Sequence, residues 1–245
     1  MSKLKGLILA AGKSTRMREL SRERPKALVE AAGRPIIEYV LAGMREAGIN
    51  RITVVTGYFA EQVEEYLGGC HRDETAVSCV RQKDIDGTGS AVNVARDSIG
   101  RSPFLLCFAD IFTEPDNFVR MAKDFGQRPC DVLVGVKWVE DPYRGAAVYL
   151  SEDDSVLEII EKPDRGTSST HWDSAGMYAF SPKVFDYTAN LKPSARGEFE
   201  LPDAVTAMIA DGLAVRAFKL GPPCFNVDSP EDIETAERWL AGESE

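Results

Sequence analysis

Short apolar runs alternate along the first half of the chain with stretches in which apolar residues recur every three or four positions. The first pattern suits a strand buried on both faces, the second an amphipathic helix. Residues 5–10, 51–56, 77–82 and 104–108 read as strands, and residues 36–47, 60–67, 90–98 and 117–125 as helices. In the first helix Ile36, Ile37, Val40, Leu41 and Met44 share one side, and Gly48 stops it. Strand–helix alternation predicts a parallel sheet covered on both faces, because parallel neighbours need a crossover.

After residue 130 the rhythm changes. Residues 131–138, 146–150, 155–160 and 175–180 read as strands joined mostly by turns, and residues 202–210 and 230–240 as helices. Asp228 or Ser229 caps the last helix, with Pro230 in its first turn. The expectation is one α/β domain over residues 1–245 with a mixed, partly antiparallel sheet.

Composition narrows the classes. A chain of 245 residues, 44% hydrophobic, holds enough apolar material for a large core. No apolar run approaches the roughly 20 residues of a membrane span, and residues 4–11 read as a buried strand, not a signal peptide. Cys70, Cys79, Cys107, Cys130 and Cys224 are scattered and odd in number, which suits reduced thiols and a cytoplasmic protein without a zinc site. The net charge of -10 argues against nucleic acid or an anionic membrane as partner. A phosphate substrate therefore needs a local cationic site. Lys13, Arg16, Arg18, Arg22, Arg24 and Lys26, opposed only by Glu19 and Glu23, supply one.

That cluster begins where the first strand turns sharply, at Leu9-Ala10-Ala11-Gly12-Lys13-Ser14-Thr15-Arg16-Met17. Small residues let backbone N–H groups approach a phosphate chain. The glycine spacing fits neither a Walker A loop nor a dinucleotide fingerprint. Ser14 and Thr15 add hydroxyl donors, Arg16 can bind phosphate oxygens bidentately, and Pro25 sets Lys26 beside them. Further on, Gln82 precedes Gly87-Thr88-Gly89-Ser90-Ala91. A glutamine amide matches the donor–acceptor edge of uracil or thymine, and Gly87 permits close approach. Asp110 follows an apolar strand at its carboxyl end, where parallel sheets bind ligands.

The segment Leu9–Met17 with Pro25-Lys26-Ala27-Leu28 resembles the signature of the sugar-phosphate nucleotidylyltransferases (NDP-sugar pyrophosphorylases), Leu-Ala-Ala-Gly-x-x-Thr-Arg-Met followed by Pro-Lys-x-Leu. The resemblance runs over most of the chain. It implies a Rossmann-like three-layer nucleotidyltransferase fold with a mixed, mainly parallel sheet and a hairpin-rich sugar-binding part. The nucleotide-binding part would span about residues 1–125, the sugar-phosphate part about 126–220, and a C-terminal helix 229–241.

The resemblance also implies roles. Leu9, Ala10, Ala11, Gly12, Lys13, Ser14 and Thr15 would hold the triphosphate, Gln82, Gly87 and Thr88 the base, while Arg16 and Lys26 neutralise charge during transfer. Asp110 would hold Mg2+, with Asn226 as first choice for the second ligand and Asp228 as second. Here Ala109 stands where the family usually has glycine. Gly145, Glu161, Lys162 and Ser174 would face the sugar phosphate, Ser174 replacing an asparagine. Residues 197–203 resemble a stretch that is mainly architectural, and His71, His171 and the tryptophans have no assigned chemistry.

The implied reaction is Mg-dependent transfer of a nucleoside monophosphate from UTP or dTTP to a sugar 1-phosphate, with a hexose as the acceptor and pyrophosphate released. The alternatives are a CTP-dependent cytidylyltransferase acting on inositol or choline phosphate, and a catalytically inactive nucleotide-sugar sensor. The pattern leaves room for a homo-oligomer.

Overall fold

The computed structural model describes residues 4–12, 24–70 and 75–243. The first half runs β1 (Lys5–Ala10), a 3-10 turn (Lys26–Leu28), β2 (Glu30–Ala31), β3 (Arg34–Pro35), α1 (Ile36–Glu46), β4 (Arg51–Thr56), α2 (Ala60–Cys70), β5 (Ala76–Arg81), α3 (Thr88–Val94), α4 (Arg96–Ile99), β6 (Phe104–Phe108), β7 (Ile111–Thr113) and α5 (Pro115–Gln127). The second runs β8 (Val132–Trp138), β9 (Ala146–Leu150), β10 (Val156–Glu161), β11 (Trp172–Phe180), α6 (Val184–Thr188), α7 (Leu201–Ala210), β12 (Val215–Lys219), β13 (Cys224–Asn226) and α8 (Pro230–Leu240).

The main sheet is ordered β10-β9-β11-β6-β1-β4-β5, with β8 beside β11 and β12 beside β8. β1, β4, β5 and β6 are parallel, whereas β11 meets β6 antiparallel. Strand period explains the layers. Leu7 and Leu9 enter a core with Val92 of α3 and Leu201, Val205 and Met208 of α7. Ile8 and Ala10 enter the opposite core with Val40, Leu41 and Met44 of α1 and Phe118 of α5. A strand apolar at every position can be buried only this way, with helices on both faces.

The mixed α/β architecture is thus as expected, with differences in detail. The helix expected over 90–98 is two helices meeting at Ala95. β11 starts earlier than residue 175, because its first half pairs with β8 and β9 through Trp172, Asp173 and Ser174, whose mixed polarity hides a strand. β7 and β13 hold only Ile111–Thr113 and Cys224–Asn226, too short to show a period. β12 and α6 were also absent from the sequence reading. No helix among the described residues is long and apolar enough to cross a membrane.

Three parallel strands end on one edge of the sheet. There β1 delivers residues 11 and 12, β5 delivers Gln82, and β6 delivers Ala109 and Asp110. β13 pairs with β7 in the register Asn226↔Ile111, and Val227 N–H donates to the Asp110 carbonyl at 2.8 Å. The C-terminal segment is thereby fastened beside Asp110.

α1 approaches α5 at Gly43, where an added Cβ would lie 2.3 Å from the ring of buried Phe118. Gly43→Ala should therefore destabilise the protein. The overpacking cost of roughly 1–3 kcal/mol exceeds a helix-propensity gain of about 1 kcal/mol when the ring cannot yield. Urea unfolding should show a lower midpoint at unchanged slope; a midpoint at or above the parent's would show that α5 gives way freely.

Candidate active site

A cleft of about 430 Å³ opens at the carboxyl edge, walled by Leu9, Ala10, Ala11, Gly12, Lys26, Gln82, Gly87, Thr88 and Asp110. The Ala11 carbonyl accepts the Tyr58 N–H at 3.0 Å, and a Cβ on Gly57 would meet that carbonyl at 2.8 Å. The turn after β1 is thus pinned against β4. Lys13, Ser14, Thr15 and Arg16 lie outside the described residues.

The far wall is built on Gly87. Its φ of 137° is a conformation that glycine adopts at low cost, and an added Cβ would lie 2.3 Å from the Phe199 carbonyl. Phe199 N–H donates to the Asp86 carbonyl at 2.7 Å, while Gly89 N–H donates to the Phe199 carbonyl at 2.8 Å. Thr88 Oγ1 accepts the Leu201 N–H at 3.0 Å, at the first turn of α7. Gln82, 4% exposed, donates through Nε2 to the Gly87 carbonyl at 3.0 Å and to Asp86 Oδ1 at 3.2 Å. Both N–H groups of the amide are therefore taken by its own turn at the wall of the cleft, so Gln82 meets a base as an acceptor through Oε1 and not with the donor–acceptor pair expected from the sequence.

Lys26 sits at the centre. Pro25, with φ at -66°, leads into the turn that carries it, and its side chain is 11% exposed. Nζ donates to Asp110 Oδ2 and to Asp228 Oδ1, both at 2.5 Å. Burial by itself would lower the ammonium pKa, but Asp110 and Asp228 together hold it above its ordinary value. Asp228 is available because Ser229 caps α8. Ser229 Oγ accepts the Asp232 N–H, and Asp232 Oδ2 accepts the Ser229 N–H in return. Of the two caps left open by the sequence, Ser229 is the one used.

Asp110 Oδ1 is buried and has no hydrogen-bond partner among the described residues. An unpaired carboxylate oxygen in a dry site is costly. It is the kind of donor that a hard divalent cation takes. Asn226 stands nearby, its Oδ1 accepting from Lys137 Nζ at 3.2 Å.

A second cleft of about 450 Å³ shares Thr88, Phe108, Asp110 and Glu198 with the first. Gly145, Glu161, Lys162, Ser174, Asn226 and Asp228 all line it, so both groups of sequence candidates meet across Asp110. Lys162 N–H donates to the Gly145 carbonyl at 2.8 Å, and the Ser174 and Tyr178 hydroxyls are bonded at 2.6 Å. Lys137, Arg144, Asp173, Arg196 and Glu200 also line this cleft; none was singled out as a site residue, and Glu200 lies in the stretch expected to be mainly architectural. Lys137 and Asp173 sit on strands, where a charged residue ordinarily reads as a solvated face. Arg196 joins Glu161 at 3.4 Å to Glu200, which it contacts directly. Arg196 is followed by Glu198 and Glu200, and that grouping of opposite charges is the one signal that could have singled it out.

Burial pushes the Glu161 carboxyl up to about 7, with Glu200 adding to the shift and Lys162 and Arg196 opposing it. Burial likewise raises Asp173 to about 6, opposed by Lys137 and by the Ala146 N–H. His171, stacked on Trp138 with ring centroids 5.3 Å apart, is not among the residues lining either cleft. His71 lies outside the described residues.

The raised Glu161 pKa fixes a sign. The folded state holds this proton more tightly than the unfolded chain, so the stabilising contribution is complete below the ordinary value of 4.5 and is lost as pH rises through about 7. Glu161→Gln, uncharged throughout, should lose less stability than the parent between about pH 5 and pH 8. Urea midpoints across that range check this; equal pH slopes in the two proteins would contradict it.

A family model described as nucleotidyl transferase matches residues 5–221. The low-salt glycan biosynthesis nucleotidyltransferase of Haloferax volcanii is 30% identical over 238 residues, which cover 97% of this chain and 66% of that relative. The UTP–glucose-1-phosphate uridylyltransferase of the same organism is 27% identical over 242 residues, 98% of each chain. Among solved structures, a UDP-glucose pyrophosphorylase complexed with UDP-glucose shares the fold at a TM-score of 0.88 and 23% identity, covering 99% of this chain and 100% of that one. With residues 5–221 matched, the chain belongs to the nucleotidyl transferase family, in agreement with its resemblance to the sugar-phosphate nucleotidylyltransferases.

Proposed function

We propose that this enzyme joins a nucleoside monophosphate from UTP or dTTP to a hexose 1-phosphate, releasing pyrophosphate. The observation that carries the reading is the position of Lys26, bonded to Asp110 and Asp228 where the two clefts meet. A cation fixed at that junction stands where a nucleotide in one cleft and a sugar phosphate in the other would bring their phosphates together. The uridylyltransferase among the relatives, aligned over 98% of each chain, supports a sugar 1-phosphate as acceptor.

In the proposed reaction an ionised oxygen of the sugar 1-phosphate attacks the α-phosphorus. The bond from that phosphorus to the bridging oxygen breaks, and the electron pair leaves with pyrophosphate. No general base is required, because the attacking oxygen carries no proton to remove. Charge builds on the phosphate oxygens, and preorganised cations stabilise it without reorganising. Lys26 and Arg16 take this role, with the backbone of residues 9–12 along the triphosphate. Gln82 and Gly87 hold the base, while Gly145, Glu161, Lys162 and Ser174 hold the sugar phosphate.

Asp110, with Asn226 or Asp228, is the proposed holder of Mg2+. The unpartnered Asp110 Oδ1 supports the assignment, and magnesium keeps several ligand positions for water and phosphate, so few protein oxygens suffice. Its chemistry here would be to screen the α-phosphate's charge.

Pyrophosphate release across nucleoside triphosphates and candidate acceptors tests the reading. Turnover should require UTP or dTTP together with a hexose 1-phosphate, and Lys26→Met should lower kcat by about 10²–10³-fold while the circular dichroism spectrum is kept. Turnover only with CTP and an alcohol phosphate would replace the acceptor and the base. Nucleotide-sugar binding without any turnover would replace catalysis with sensing.

A further inference from the structure

Two ammonium groups occupy oxygens at the carboxyl edge. Lys26 Nζ lies on Asp110 and Asp228, and Lys137 Nζ lies 3.2 Å from Asn226 Oδ1. Lys137 is near the end of β8 and its side chain is 15% exposed. Asp173 Oδ2 stands 3.8 Å from the same ammonium. Asp173 faces Lys137 directly in the β8–β11 register, and its side chain is 11% exposed.

The two members of this pair differ in freedom. Asp173 is fixed: Oδ1 accepts the Ala146 N–H at 2.8 Å, and the carboxylate packs so closely on Gly145 that an added Cβ there would lie 2.0 Å from Oδ1. Lys137 is a point charge on a flexible four-carbon stem. Its present bond is to a neutral amide oxygen, whereas a bond to a carboxylate closes to about 2.7–2.9 Å and adds the attraction of opposite charges. A small swing of the stem therefore exchanges one acceptor for the other.

We propose that Asp173 is a positioning residue: it receives Lys137 from Asn226, so that the Asn226 carbonyl oxygen is released to a divalent cation held beside Asp110. An ammonium and a divalent cation cannot share one amide oxygen, because like charges at such range repel strongly in a partly dry site. The carboxylate that takes the lysine also braces the strap at Gly145 and Ala146, so the cation edge and the second cleft are joined through one side chain. This rests on the assignment of Asn226 and Asp110 as cation ligands made under the proposed function.

The test is Mn2+ binding to the full chain, followed by water-proton relaxation, in the parent, Asp173→Asn, Lys137→Met and the double variant. Asp173→Asn keeps the acceptor for the Ala146 N–H but loses the charge that holds the lysine. It should weaken Mn2+ binding by about tenfold or more, as loss of outer-shell support does at metal sites. Lys137→Met should bind Mn2+ as tightly as the parent or tighter, and adding it to Asp173→Asn should restore binding. A purely structural role for Asp173 would leave the double variant as weak as the single one and would overturn the proposal. So would parent-like binding by Asp173→Asn, or a parent that does not bind Mn2+. Pyrophosphate release by the parent is read separately. Its absence beside an intact Mn2+ pattern would sink the reaction assignment and leave the lysine exchange standing.

Discussion

The contact of Lys26 with Asp110 and Asp228 ties together three segments far apart in the chain, and the arrangement of both clefts follows from it. Two carboxylates at one sheet edge repel each other, and a partly buried ammonium is costly to desolvate. Each problem is offset only if all three groups converge. Convergence needs β6 to lead into Asp110, Pro25 to turn Lys26 inward, and β13 to lie in one register against β7. The C-terminal helix contributes by capping itself with Ser229 and Asp232, leaving Asp228 to the lysine.

Around that contact the fold separates two tasks. The parallel half ends its strands on a common edge and offers small residues and backbone groups, which suit a phosphate chain. The second half turns β11 antiparallel to β6 and carries charged side chains into the neighbouring cleft. Gly176, with φ of 70° and an added Cβ only 3.0 Å from Phe108, marks where β11 shifts register between its two sets of partners. The shift lets one strand serve both the core around Tyr178 and the cleft at Ser174.

Much of this was legible in the sequence, for identifiable reasons. Residues 5–10 and 104–108 are apolar at nearly every position, and only a strand between two helical layers buries both faces. Lys26 and Asp110 sit next to strong local signals, a proline turn and a strand end. Gln82 was legible as a cleft residue, but not the hydrogen bonds that bind its amide to Asp86 and Gly87. Lys137, Asp173 and Arg196 were not legible, because single charged residues acquire meaning only when register and loop closure set them face to face. The segment 13–23, which carries Arg16, lies outside the described residues, so its part in the site rests on the motif alone.

On the proposed reaction, one bound molecule spans both clefts with its phosphates at Lys26. The first measurement is therefore a crystal structure of the protein with UDP-glucose and magnesium. Uracil is expected against Gln82 and Gly87, the diphosphate at Lys26 and Asp110, and the hexose against Glu161 and Gly145. A diphosphate bound away from Lys26, or a hexose outside the second cleft, would contradict it.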